Sequence, residues 1–198
     1  MENVLWGLIP MDAGALTVAP GVLLQAMGCP AAAQTEELLC RAEGAVAAAK
    51  DAVDPRAVWH RFDLVREGDA LSLGGTAVSL PGADIAAHLG GCGSCVVFAV
   101  TLGLRTERYL AGLAADPAAA LYADTACSLL IEEAADLAER GMPRHTTWRY
   151  SPGYGDLPLT LQGKLLSLLD APRRLGVTLT DSGLMLPRKS ITAIVGCA

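Results

Sequence analysis

Apolar positions along the chain change their spacing several times, and each change marks a predicted element. Up to about Ala33 they come in short runs cut by glycine and proline, which read as a cap or edge segment on the main body. From Thr35 the spacing turns helical: Thr35 is the N-cap, Glu36 and Glu37 fill the first turn, and Leu38, Ala42, Ala45, Ala49 and Val53 form one stripe. Pro55 ends that helix. Val58, His60, Phe62 and Leu64 then alternate with Trp59, Arg61 and Asp63, the period of a strand with one buried face, and a turn follows around Glu67 to Asp69. Asp84 is placed to cap a short helix through Leu89. Gly90, Gly91 and Gly93 lead from it into the short, Val- and Phe-rich run Cys95 to Leu102, a buried strand.

A helix from about Thr106 to Ala114 comes next, and then the best-punctuated element. Asp116 is the N-cap, Pro117 takes the first helical position, Gly141 is the C′ glycine and Pro143 closes, so one helix is predicted over 117–140. An irregular loop runs through Pro158. It is followed by a Leu-rich helix at 161–169, a turn of helix at 172–175 stopped by Gly176, and a final strand in which Ile191, Ala193 and Val195 alternate. Helices interspersed with few strands, without repeat or linker, predict a single α+β domain with a mainly antiparallel or mixed sheet. Residues 1–54 are expected as an N-terminal segment and helix packed on a continuous main body at 55–198.

Composition narrows the partners. Of 198 residues 52% are hydrophobic and 18% charged, too apolar for a disordered chain. The net charge is -6 and no Lys/Arg cluster occurs, which argues against nucleic acid, whose phosphates need cations. The stretch Ala13 to Ala33 lacks charge but is interrupted by Pro20, Pro30 and three glycines, so a membrane span is not expected. No basic residue precedes Arg41, so no export signal is read, the expected location is the cytoplasm, and the six cysteines are expected as reduced thiols.

The candidate chemistry concentrates in Arg149-Tyr-Ser-Pro-Gly-Tyr-Gly-Asp156. Here Gly153 permits close backbone approach, Arg149 can hold a carboxylate in a bidentate pair, and Tyr154 can stack on a flat ring. The same residues also read as a Pro-Gly turn with a surface arginine and two packed tyrosines. On the long helix Glu132, Asp136 and Glu139 share a face, either solvated or presenting carboxylates to an ammonium group. His60 reads as a core histidine, while His88 and His145 have no evident partner. Cys92 and Cys95 form a CxxC without the second ligand pair of a zinc site, and the common kinase, hydrolase and dehydrogenase motifs are absent. Neither a catalytic residue nor a metal ligand is expected.

Arg149-Tyr-Ser-Pro-Gly-Tyr154 resembles the S-adenosylmethionine-binding motif, Arg-x-x-x-Gly-Tyr, of the activation domain of cobalamin (vitamin B12)-dependent methionine synthase. Phe98 to Gly103, Ala120 to Asp124 and Ile131 to Asp136 upstream, and Leu168 to Asp170, Gly176 to Thr180 and Met185 to Ser190 downstream, are similar to that family's segments in order and spacing, over about residues 55–196. The resemblance implies an S-adenosylmethionine site made by Arg149, Ser151, Gly153, Tyr154 and Glu132. It also implies a role: in that family the ligand's methyl and an electron from flavodoxin restore methylcobalamin after the cobalt has been oxidised. The chain resembles a free-standing form, acting in trans on a synthase that carries the cobalamin and lacks this domain. It would then be a component of the methyltransferase activity rather than a complete enzyme. Asp63 is the nearest candidate for the family's early acidic contact, and a further aromatic contact of the fused form would lie beyond the final strand. The alternative is a non-catalytic S-adenosylmethionine or nucleotide sensor that signals by docking; a redox or metal module built on Cys92 and Cys95 is a third reading.

Overall fold

In the computed structural model, which describes residues 6–68 and 70–198, the apolar runs before Thr35 resolve into a strand and a helix. Strand β1 (Trp6–Pro10) and helix α1 (Pro20–Ala26) are separated and followed by single 3-10 turns. The period in β1 is hidden because Trp6 and Leu8 lie on its exposed side and only Gly7 and Ile9 turn partly inward. Helix α2 (Glu36–Ala52) starts as expected, the Thr35 hydroxyl accepting from the Leu38 N–H at 3.3 Å.

Strand β2 (Arg56–Glu67) departs from a one-faced strand. Val58 and Trp59, neighbours in sequence and so on opposite faces, are both buried, because helices cover both sides of this sheet. Strand β3 (Ala70–Leu73) returns along Leu64–Glu67. Asp69, at the expected turn between them, lies outside the described residues, as do residues 1–5 of the N-terminal segment. Helix α3 (Ala83–His88) leads to β4 (Ser94–Thr101), in which all eight residues are buried. Helix α4 (Leu104–Gly112) begins two residues earlier than expected. It is followed by α5 (Pro117–Arg140), where the Asp116 carboxylate accepts from the N–H groups of Ala118 and Ala119 at 3.1 and 3.0 Å. Gly141 closes α5 with an ordinary φ of -90° rather than a left-handed one. A side chain there would press on Ile9, its Cβ lying 3.2 Å from Ile9 Cδ1, so close approach of β1 accounts for the glycine.

Helices α6 (Gln162–Leu168) and α7 (Ala171–Leu175), a small hairpin of β5 (Thr178–Leu179) and β6 (Met185–Leu186), and β7 (Ser190–Cys197) complete the chain. The main sheet has the order β1-β2-β4-β7 with β3 on the far half of β2, and every pairing is antiparallel. On one face Trp59, Val96, Phe98 and Val195 pack against α1, α2 and α5. On the other Val58, Val97 and Ile194 pack against α3, α6 and α7. Each fully buried large side chain contributes about 1.5–3 kcal/mol relative to exposure, so the two cores together fix where α5 and α6 flank β7. No helix among the described residues is long and apolar enough to cross a membrane.

Candidate functional site

The outer edge of β7 is where the loop rich in candidate chemistry is fastened. Tyr150 and Ile194 exchange both backbone hydrogen bonds at 2.9 Å, the Thr146 N–H donates to the Gly196 carbonyl at 2.8 Å, and the Gly196 N–H donates to the Thr147 hydroxyl at 2.8 Å. These bonds satisfy edge groups that would otherwise be left open and carry Arg149 into the gap between β7 and α5. Further on, the Gly153 N–H donates to Leu157 O at 2.8 Å with φ at +93°, a conformation that L side chains rarely adopt. The loop's far end is pinned by Asp156, whose carboxylate accepts from the backbone N–H of Ala83 at 2.6 Å and of Asp84 at 3.2 Å. The cap of α3 is therefore Asp156 and not Asp84, which merely occupies the first turn.

Between α5, this loop, α6, β6 and the start of β7 lies a cavity of about 580 Å³. Glu132, Arg149, Ser151 and Tyr154 all line it, so four of the five expected residues meet in one place; Gly153 bends the chain between two of them. Arg149 is held by the α5 carboxylates. Its Nη1 donates to Asp136 Oδ1 at 2.6 Å and to Glu139 Oε1 at 2.7 Å, and its Nη2 donates to Glu132 Oε2 at 3.2 Å. Burial acts to lower the pKa of this guanidinium, but the hydrogen bonds to Asp136 and Glu139 and their charges outweigh it and raise it above the ordinary arginine value. Three carboxylates face one guanidinium, an excess of two negative charges on the α5 wall before His145 is counted. These bonds take three of the five guanidinium N–H groups, which leaves one on Nη2 and that on Nε without a protein partner among the described residues and able to meet an anion, while the exposed Glu132 and Asp136 remain able to meet a cation.

The histidines left without partners in the sequence have them in the fold. His145 Nε2 lies 3.1 Å from Glu139 Oε2, and His88 Nε2 lies 2.9 Å from Trp148 O. His88 also packs against Trp148 and Tyr150, and Tyr150 meets the Tyr154 ring edge-on at 6.2 Å, which gives the loop an aromatic underside. The Tyr150 phenol is shifted upward, by desolvation first and then by Asp84 and Asp156.

Asp63 is far from the cavity. It pairs with Ser94, which pairs with Cys197, whereas the cavity reaches Ser190 to Thr192 at the other end of β7. Along the strands that is five residues or more, at least about 16 Å, and Asp63 lines a separate cavity with His60 and Thr76. The CxxC cysteines are buried. Cys95 is pushed up to about 12, chiefly by desolvation and also by Cys197 and Cys92, the opposite of an activated thiolate. The sequence did not single out Gln162 and Thr192 on the α6 and β7 side of the cavity, since apolar periodicity says nothing of which polar positions it leaves facing a void.

Residues 131–197 match the family model for the vitamin B12 dependent methionine synthase activation domain, a span that includes every residue lining the cavity that holds Arg149. No curated protein sequence matches the chain. Among solved structures it is similar to a MetH reactivation domain bound to AdoHcy, with 16% identity and a TM-score of 0.72 over 96% of this chain and 78% of that one. The segment that builds the cavity thus matches the model of the vitamin B12 dependent methionine synthase activation domain, and the chain as a whole has a fold similar to that of the reactivation domain.

Proposed function

We propose that the chain binds S-adenosylmethionine in this cavity and presents its methyl group for the reductive remethylation of a cobalamin held by methionine synthase. The observation that carries the reading is the meeting of Arg149, Ser151, Tyr154 and Glu132 in one cavity whose volume, about 580 Å³, falls in the range of small-molecule sites, about 300–1,000 Å³. The donor set fits the ligand. Arg149 offers charge-assisted N–H groups to its carboxylate, Glu132 accepts from its ammonium, the Gly153 turn shapes the rim, and Tyr154 covers the adenine or the methyl path. The excess negative charge on α5 favours a ligand carrying a sulfonium cation.

The cobalamin belongs to the partner, and it supplies the nucleophilic cobalt; an electron from flavodoxin or another reductant and the sulfonium methyl together restore methylcobalamin, leaving S-adenosylhomocysteine. This chain's residues do not bond to the methyl. They bind the ligand and orient it, so their contribution is positioning. The partner is a synthase that lacks this domain, and the setting is the cytoplasm, where thiols such as Cys92 and Cys95 stay reduced.

The test is calorimetric titration with S-adenosylmethionine, followed by adding the protein to an oxidised, inactive synthase without an activation domain, with a reductant present. Saturable binding and recovery of synthase activity are expected. Binding without recovery removes the reactivation role, and absence of binding by the folded protein removes the ligand.

A further inference from the structure

Thr192 is buried at 2% exposure on β7, and its Oγ1 has no hydrogen-bond partner in the protein. Ser190, two residues earlier on the same strand face, shows what a satisfied hydroxyl looks like there: its Oγ bonds to the Pro187 carbonyl at 2.7 Å and to the Thr101 hydroxyl at 2.9 Å. Opposite Thr192 on β4 stands Ala99, which has no polar side-chain atom to offer. A buried hydroxyl left unpaired is costly and uncommon, and Thr192 lines the same cavity as Arg149 and Glu132.

Its place in the cavity assigns it a half of the ligand. Ile194, on the same face of β7, belongs to the core on the α6 side, so Thr192 lies across from the α5 carboxylates, on a wall it shares with the buried Gln162. One wall is therefore charged and the other offers neutral hydrogen-bonding groups. The charged wall matches the amino-acid end of a ligand such as S-adenosylmethionine, and the neutral wall matches its uncharged polar end. We infer that the Thr192 hydroxyl is a ligand-binding group that hydrogen-bonds the nucleoside half of the bound ligand and so helps fix its orientation; this rests on the reading under Proposed function.

The experiment is titration of S-adenosylhomocysteine into the wild type, Thr192→Val and Thr192→Ser, with thermal melts of each ligand-free protein. Valine keeps the shape and removes the hydroxyl. A merely structural hydroxyl would lose stability on that change, whereas an unpaired one loses none. The expected result is a Thr192→Val protein whose ligand-free melting temperature is unchanged or higher while its affinity is about 5- to 15-fold weaker, and a Thr192→Ser protein within about twofold of the wild type. Should the valine variant not fold, Thr192→Ala carries the same comparison of affinities. Wild-type affinity without the hydroxyl overturns the inference alone. Failure of the wild type itself to bind overturns the ligand reading and this inference with it.

Discussion

Glu139 holds Arg149 from below: its Oε1 accepts from Arg149 Nη1 at 2.7 Å while its other oxygen lies 3.1 Å from His145 Nε2. With a side chain only 15% exposed, Glu139 is the least solvated of the three carboxylates around the guanidinium, and so the one most dependent on it. Arg149→Ala is expected to weaken ligand binding by about 1.5–3 kcal/mol, the range for a lost hydrogen bond to a charged group, and also to lower the melting temperature by stranding Glu139. Arg149→Lys should restore neither, since one ammonium cannot reproduce a fork shared by three acceptors. Calorimetry and thermal melts of the two variants check this; a lysine variant that binds like the wild type would refute the geometry.

Asp156 caps α3 from 73 residues away. Asp156→Ala should cost about 0.5–2 kcal/mol in urea unfolding, as loss of an N-cap does, whereas Asp84→Ala should cost much less. Equal losses would mean that the carboxylate across the loop is not the cap.

Thiol labelling separates the cysteines. Cys95 is buried with its pKa pushed up to about 12, while Cys40 is exposed. Iodoacetamide at pH 8 is expected to modify Cys40 and leave Cys95 untouched until denaturant is added. Rapid modification of Cys95 in the folded protein would revive a redox reading of the CxxC.

His60 supplies a pH dependence with a defined sign. Desolvation first, and then Arg174, lower its pKa in the folded state. The folded protein therefore binds fewer protons there than the unfolded chain. This contribution to stability is fully present above the unfolded value of about 6.5 and is lost as pH falls through the lower folded value. An NMR titration should place the His60 midpoint below about 6.5, and His60→Gln should flatten the fall of melting temperature between neutral pH and pH 5. A midpoint above 6.5 would reverse the sign.

What was legible in the sequence was local. Both ends of α2 and α5 carry their punctuation within a few residues, Thr35 and Asp116 as side-chain acceptors, and the structure uses both as read. The Arg149 to Tyr154 loop was legible through its unusual composition and its resemblance to a known motif. The remainder depended on chain segments distant in sequence. Trp59 is buried because α2 and α5 arrive from either side of it in sequence, Asp156 reaches α3 only after the chain has crossed the sheet, and Gly141 is constrained by Ile9. Thr192 shows the limit most sharply: in the sequence it is one polar residue within an apolar strand, and only the packed walls around it reveal a hydroxyl without a partner.

The fastening of Tyr150 to Ile194 restricts how this site can change. The loop is also the hem of the sheet, covering an edge that an unguarded β7 would offer to other chains for strand addition and aggregation. It cannot swing away to admit a ligand without unravelling that hem. Across the cavity Met185 belongs to the small β5–β6 hairpin, which pairs with no strand of the main sheet among the described residues and so is not sewn to that edge. Drift in the loop therefore puts solubility at risk before it reshapes the cavity, a penalty that drift in the hairpin does not carry.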